Sequence, residues 1–312
     1  MGIVHLAGIG TSPGAVTAGL AYLKKEKPVE VAWEIVEELI LFTSPEVRYG
    51  KVSAINYRWN QYGTTTFEYG RRRERENVLS VVKKFLKQEE LLPQWGKMYV
   101  WTVDTNDFDS CFEAVAKVVI AKGDPQGTGK HLWANLTGGT NILNAAIMEA
   151  AILSGLISRL YYTFIHKGYE KDYEPCLQPP VKNRPDIFNF RWLPFVKVTF
   201  DEIYYGILEV LHQVGDWCPE EETLSRLKNL AATRGQELKL ELHQFKTQYL
   251  NHMDGREIER KDFENRLSPF GEKMLNWLKD PLYRALIRRE EIPFYELIDQ
   301  CRQELKEKEW QL

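Results

Sequence analysis

Short, nearly continuous apolar runs recur through the first two thirds of the chain, each followed by a stretch with helical spacing. This alternation is the strongest constraint on what the sequence can fold into. The apolar runs cover residues 3–9, 38–43, 97–103, 131–136 and 159–165. Helical patterns follow from Ser12, over 71–91, over 107–122 and over 141–154. Strands apolar on both faces need cover on both faces, and strand–helix alternation supplies it by placing helices on either side of a parallel sheet. The expectation is an α/β fold with a doubly wound, mainly parallel sheet. Its ligand crevice belongs at the carboxyl ends of the strands, where the turns after the first and fourth runs open.

The periodicity changes after residue 200. Ile203, Ile207, Leu208 and Leu211 mark one amphipathic helix, Leu224, Leu227 and Leu230 a second, and 237–250 a third. The stretch from Met253 reads as a short two-stranded wing around Asp254-Gly255 and the charged residues after it, where Arg256, Arg260, Lys261 and Arg266 alternate with Glu257, Glu259, Asp262 and Glu264; a helix capped by Ser268 with Pro269 at its start closes it. Three helices, a wing and a capped helix outline a winged helix-turn-helix. The expected organisation is a Rossmann-like ligand-binding domain over 1–190, a mostly helical winged-helix domain over 191–282, and a helical extension over 283–312. A Pro-rich stretch at 174–186 marks an excursion or boundary. The length of 312 residues accommodates this plan, being more than one average domain.

Composition excludes several function classes. With 44% hydrophobic and 27% charged residues, the chain is neither disordered nor collagen-like. A formal net charge of −3 gives no strong pull toward nucleic acid or membrane. Cys111, Cys176, Cys218 and Cys301 are far apart, which fits neither a zinc site nor a disulfide framework and points to a reducing compartment. The N-terminus lacks a basic leader pattern, and the apolar stretch 145–157 is interrupted by Glu149 and Ser154. A cytoplasmic location without membrane or metal partners is expected, and no cofactor is implied.

The most informative segment is Asn135-Leu136-Thr137-Gly138-Gly139-Thr140-Asn141, at a strand-to-helix turn. Two glycines allow close backbone approach, and the following helix N-terminus presents unpaired N–H groups and the positive end of its dipole to an anion. Thr137 and Thr140 add hydroxyls, and Asn135 and Asn141 add carboxamides that can read phosphate, ribose or base edges. The alternative is a tight turn in which glycine serves packing. Gly10-Thr11-Ser12-Pro13-Gly14 is the matching feature after the first strand: Thr11 and Ser12 are hydroxyl donors, or Ser12 caps its helix with Pro13 in the first turn.

These two units resemble the CRISPR-associated Rossmann-fold (CARF) domain, and the winged-helix pattern after them resembles the CARF–winged-helix architecture. The resemblance implies a homodimer whose paired domains share one pocket for a cyclic oligoadenylate (tetra- or hexa-adenylate), the messenger of type III CRISPR antiviral defence. It carries over Gly10, Thr11, Ser12, Thr137, Gly138, Gly139 and Thr140 as ligand contacts, beside Asn135 and Asn141. The implied function is a sensor relaying messenger occupancy to the winged helix. Many members place a lysine after the glycine motif, where this chain has Asn141, which favours binding over cleavage.

Two alternatives stand beside it. One is a metal-independent ring nuclease in which Ser12 and Asn141 are catalytic. The other is a transcriptional regulator that binds DNA. From residue 201 onward, about 17 Lys and Arg face about 23 Asp and Glu, which weighs against DNA. Arg71, Arg72, Arg73 and Arg75 read as a solvated helix face. The stretch from Asp124 to His131 lacks the first glycine and the Ser/Thr of a P-loop. No arginine–histidine ribonuclease motif is present, and Glu237-Leu238-Lys239 falls in a helical pattern without the strand that a metal-dependent nuclease needs.

Overall fold

The computed structural model describes residues 2–26, 35–52, 77–123, 130–165, 188–194, 201–287 and 295–311. The Arg71–Arg75 cluster, the loop 124–129, Cys176 and the Pro-rich stretch 174–186 lie outside the described residues. Two compact units are present, one formed by Met1–Val198 with Arg289–Leu312 and the other by Thr199–Arg288.

The first unit is built on β1 (Gly2–Gly8), whose seven residues are all buried. It pairs in parallel with β2 (Ile35–Thr43) on one side and β4 (His131–Asn135) on the other. Beyond them lie β3 (Lys97–Thr102) and β5 (Ile157–Ile165), also parallel to their neighbours. Two antiparallel strands flank this set: β6 (Phe188–Leu193) on β5 and β10 (Glu309–Trp310) on β3. The resulting seven-stranded order is β10-β3-β2-β1-β4-β5-β6. The chain runs outward from β1 to β3 and then crosses to β4, so the direction of winding reverses between β1 and β4. That seam is the topological switch point, where open α/β sheets bind their ligands.

Helices cover the faces. On one, α1 (Gly14–Glu26) and α3 (Val78–Gln88) contact each other, and Leu20, Val82 and Phe85 join Ile3, Ala7, Leu39, Leu41, Met98 and Val100 in one core. A short helix, α2 (Pro45–Arg48), follows β2. Another pair, α4 (Phe108–Lys122) and α5 (Asn141–Ser154), also packs together, and α12 (Tyr295–Glu307) lies against α4. Lys117 of α4 pairs with Glu113 on its own helix and, across that contact, with Glu304 of α12, at 2.9 Å each. The expected charged helix over 71–91 is seen as α3, which starts at its Asn77 cap and ends at Gln88.

The segment set apart in the sequence as 283–312 is divided between the units. Residues 281–287 form α11 (Pro281–Ile287) and cluster with the second unit, whereas α12 and β10 return to the first. There Trp310 packs against the sheet core, and the Arg48 guanidinium lies 5.3 Å from the Trp310 ring centre. The first unit's sheet also continues past residue 190, through β6.

The second unit contains α6 (Glu202–Val214), β7 (Cys218–Pro219), α7 (Glu220–Thr233) and a helical stretch of α8 (Leu242–Phe245), a π turn (Lys246–Leu250) and α9 (Asn251–Met253). The hairpin β8 (Ile258–Lys261) and β9 (Glu264–Leu267) follows, then α10 (Pro269–Lys279). Strands order as β7-β9-β8. Two expectations are corrected here. The third helix begins at Leu242, because Gly235 adopts φ +75° beyond α7 and the N–H of Glu241 is held by Gln244 Oε1 at 3.2 Å. Glu237-Leu238-Lys239 is therefore not helical. The hairpin turns at Asp262 and Phe263 (φ 50° and 67°), not at Asp254-Gly255, and positive φ at both central residues matches the twist of a two-residue hairpin. Ser268 does cap α10, accepting the Gly271 N–H at 3.0 Å.

Candidate ligand site at the switch point

The turn after β1 leaves the sheet under tight control. Ile9 donates its N–H to the Phe42 carbonyl (2.9 Å) and accepts the Thr43 hydroxyl (2.7 Å), which ties it to β2. Gly10, Thr11 and Ser12 then emerge half-buried, and no atom lies within 4 Å of a Cβ built on Gly10. The Ser12 carbonyl accepts the Ala15 N–H at 3.2 Å and that of Pro13 accepts the Val16 N–H at 2.9 Å, so Pro13 stands in the first turn of α1.

The turn after β4 is organised from within. Asn135 is fully buried; its Nδ2 donates to the Ala15 carbonyl (2.8 Å), and its Oδ1 accepts the Thr137 N–H (2.8 Å). Thr137 Oγ1 lies 2.9 Å from Thr163 Oγ1 and accepts the Thr163 N–H at 2.7 Å, which fastens the loop to β5. Asn144 Nδ2 donates to the Leu136 carbonyl at 2.9 Å.

The two turns are packed into one another. A Cβ on Gly138 would run into the Gly8 carbonyl oxygen, and one on Gly8 would sit 2.9 Å from Gly139 Cα and 3.0 Å from Gly138 O. Gly138 is buried in this contact, so packing accounts for its lack of a side chain. Gly139 is exposed and takes φ +79°, a conformation that disfavours any side chain. Thr140 is the N-cap of α5: its Oγ1 accepts the Leu143 N–H (3.3 Å) and donates to the Thr105 carbonyl (2.9 Å), drawing in the turn after β3. Asn141, the first residue of α5, is exposed, and the first turn of the helix holds no acid.

Backbone geometry therefore gives the seam one helix N-terminus with its positive dipole end directed outward and a glycine at the mouth. Charge on the described turns around it does not add to this. Residues 10–12, 104–107 and 137–141 include Asp104 and Asp107 and no Lys or Arg. On these turns a ligand would meet backbone N–H groups, hydroxyls and carboxamides.

All nine residues named from the sequence sit on these two turns. Gly10, Thr11, Ser12, Gly139 and Asn141 are the more open ones, whereas Asn135, Thr137 and Gly138 are engaged inward and Thr140 caps α5. Sequence reasoning missed Gly8, Thr105 and Thr163. Gly8 left one legible sign, a glycine closing an otherwise apolar strand; the other two are defined only by tertiary contact. Among the described residues, no three His, Cys, Asp or Glu side chains converge, and no helix is long and apolar enough to cross a membrane.

Behind the seam, His5 is fully buried on β1 and its Nε2 lies 2.6 Å from the Tyr161 hydroxyl. Burial pushes the His5 pKa down to about 3. Between that value and about 6.5 the unfolded chain binds a proton that the folded chain does not, so stability falls as pH drops through this window. This group alone contributes a slope of about 1.4 kcal/mol per pH unit. Urea unfolding at pH 7 and pH 5 is expected to show it in the native chain, and His5→Gln should remove that part of the difference.

No family model matches the sequence. An uncharacterized protein of Archaeoglobus fulgidus is 28% identical over 194 residues, and the match takes in 53% of this chain and 57% of that protein. The chain thus spans just over half the length of this curated relative. Among solved structures, Csm6 of Enterococcus italicus bound to cyclic hexa-2′-fluoro-hexa-dAMP is similar over 98% of this chain and 86% of its own, at 12% identity and a TM-score of 0.39. Protein VC1899 from Vibrio cholerae aligns over 95% and 66%, at 10% identity and 0.31. Can2 from Sulfobacillus thermosulfidooxidans in complex with cyclic tetra-adenylate aligns over 91% and 63%, at 10% identity and 0.30. At these TM-scores the likeness carries no functional weight.

Proposed function

We propose that this chain is a CARF-type sensor of a cyclic oligoadenylate, acting in type III CRISPR defence. The observation that carries the reading is the seam itself. Two glycine turns flank the switch point of a parallel sheet, locked together at Gly8 and Gly138, with the α5 N-terminus and Gly139 open beside them. Those turns are the same segments whose sequence resembles the CARF loops. Phosphates of a ring would meet the amides at the start of α5, and Thr11, Ser12 and Asn141 would supply polar contacts.

A cyclic oligonucleotide has internal symmetry, so two copies of the seam across a two-fold axis would suit it, and the sensor is proposed to act as a homodimer. The ring shifts that dimer to the extent that it binds one arrangement more tightly than another. The second unit is the proposed receiver, in the role of a winged helix. Its order of helix, short strand, helix, helix and hairpin supports that assignment. Asn141, standing where many family members carry a lysine after the glycine motif, favours holding the ring intact.

The test is incubation of the purified chain with cyclic tetra- and hexa-adenylate in chelator, followed by chromatography of the nucleotide. Bound, intact ring is the expected result. Linear product would replace the sensor with a ring nuclease and make Ser12 and Asn141 the first residues to mutate. A ring that is neither bound nor cut would remove the messenger reading.

A further inference from the structure

Tyr161 belongs to no ligand turn, yet it sits where both turns are anchored. It is fully buried on β5, directly beside Asn135 in the strand register. The Asn135 carboxamide lies in hydrogen-bonding reach of the Tyr161 hydroxyl as donor, and the hydroxyl in turn lies 2.6 Å from His5 Nε2. The polar line thus runs from Asn135 to Tyr161 to His5, crossing β4, β5 and β1. Its outer end holds the two turns at once, since the Asn135 carboxamide bonds both Ala15 at the start of α1 and Thr137 in the glycine loop.

The surrounding residues leave room for little else. A Cβ on Gly19 of α1 would lie 2.5 Å from the Tyr161 hydroxyl, so glycine lets the helix cross directly above it. The Tyr161 ring stacks on Phe190 at 4.6 Å, and Phe190 stacks on Tyr22 of α1 at 4.4 Å. Buried polar groups are costly to leave unpaired, and hydrogen bonds made in a low-dielectric core favour one geometry among the alternatives. A line of hydrogen bonds from the sheet to both turns therefore fixes their separation, which apolar packing alone would leave adjustable.

We infer that Asn135 and Tyr161 are positioning residues that set the spacing of the two turns and, on the proposed reading of the site, its affinity for the ring. Asn135 acts through the backbone of Ala15 and Thr137, and Tyr161 holds the carboxamide in the orientation that reaches both. Neither needs to touch the ligand.

The test uses the full chain with Tyr161→Phe, which keeps the ring stacking and removes the hydroxyl. Val82→Ala, a cavity variant in the same core on α3, is the control for lost stability. Amide hydrogen exchange of the free protein reads the geometry, and calorimetry with cyclic tetra- and hexa-adenylate reads the affinity. Tyr161→Phe is expected to speed exchange at the Thr137 amide about tenfold and to weaken ring binding about tenfold, whereas Val82→Ala leaves both near the native values. Should Tyr161→Phe fail to fold, Tyr22→Leu, which disturbs the stack and keeps the hydroxyl, must leave the Thr137 amide protected. Unchanged exchange at Thr137 in Tyr161→Phe, or equal acceleration in Val82→Ala, overturns the inference. If the native chain binds neither ring, the proposed ligand is wrong, and the exchange result still decides the positioning role.

Discussion

Gly138→Ala is expected to cost the first unit about 2–3 kcal/mol, because the added methyl meets a backbone atom that cannot move aside. The obstacle is the Gly8 carbonyl oxygen at the end of the central strand, and the Ala15 side chain lies 3.2 Å from the same methyl. A flexible neighbour would yield by a rotamer change. Here β1 is bonded along both edges to β2 and β4, so relief requires moving the strand or opening the glycine loop. For a unit of this size the loss corresponds to a fall of roughly 4–12 °C in thermal midpoint. Gly10→Ala, on the opposite turn, meets nothing within 4 Å and should stay within about 0.5 kcal/mol of the native chain. Thermal unfolding of the two variants side by side separates glycine required for packing from glycine that leaves space at the mouth. Equal midpoints would mean that the turns are not locked together.

Asn141→Asp should move stability and binding in opposite directions. Asn141 is exposed at the first position of α5, where a carboxylate interacts favourably with the helix dipole. A gain of about 0.3–1 kcal/mol is expected, because the first turn of α5 holds no acid in the native chain. The same charge faces the phosphates of a bound ring, beside the turns 10–12, 104–107 and 137–141, which carry Asp104 and Asp107 and no Lys or Arg. Affinity is expected to fall at least about tenfold, equivalent to about 1.4 kcal/mol. Simple damage to the fold would lower both quantities. A variant that is more stable and binds the ring as well as the native chain would show that the ligand does not approach the α5 N-terminus.

Much of the first unit was legible because its signals are local. The five apolar runs reappear as β1 to β5 to within a few residues. Turn chemistry placed the start of α5 at Asn141, and Ser268-Pro269 placed the start of α10. What stayed hidden depends on partners distant in sequence. Strand β6 follows a long excursion and pairs antiparallel, and β10 is two residues long, too short for any periodic pattern. The third helix of the second unit starts later than its sequence pattern suggests, because 237–241 continues an apolar spacing that the Gly235 turn and the Gln244 cap interrupt.

At the site, the sequence located the two turns and not the division of labour within them. Asn135 and Asn141 look equivalent as carboxamides flanking a glycine motif. One ends a buried strand and bonds two backbones; the other opens a helix at the surface. That difference follows from which strand end points into the core, and only the assembled sheet fixes it. Tyr161 and His5 left no motif at all, since each reads as an ordinary member of an apolar strand.

The central claim is that a cyclic oligoadenylate binds at the β1–β4 seam of this chain. Isothermal titration of the full chain with cyclic tetra-adenylate, and separately with cyclic hexa-adenylate, tests it most directly. Saturable binding of one of these rings at one ring per two chains, weakened by Asn141→Asp, is the predicted result. No binding of either ring, or binding that Asn141→Asp leaves unchanged, would contradict it.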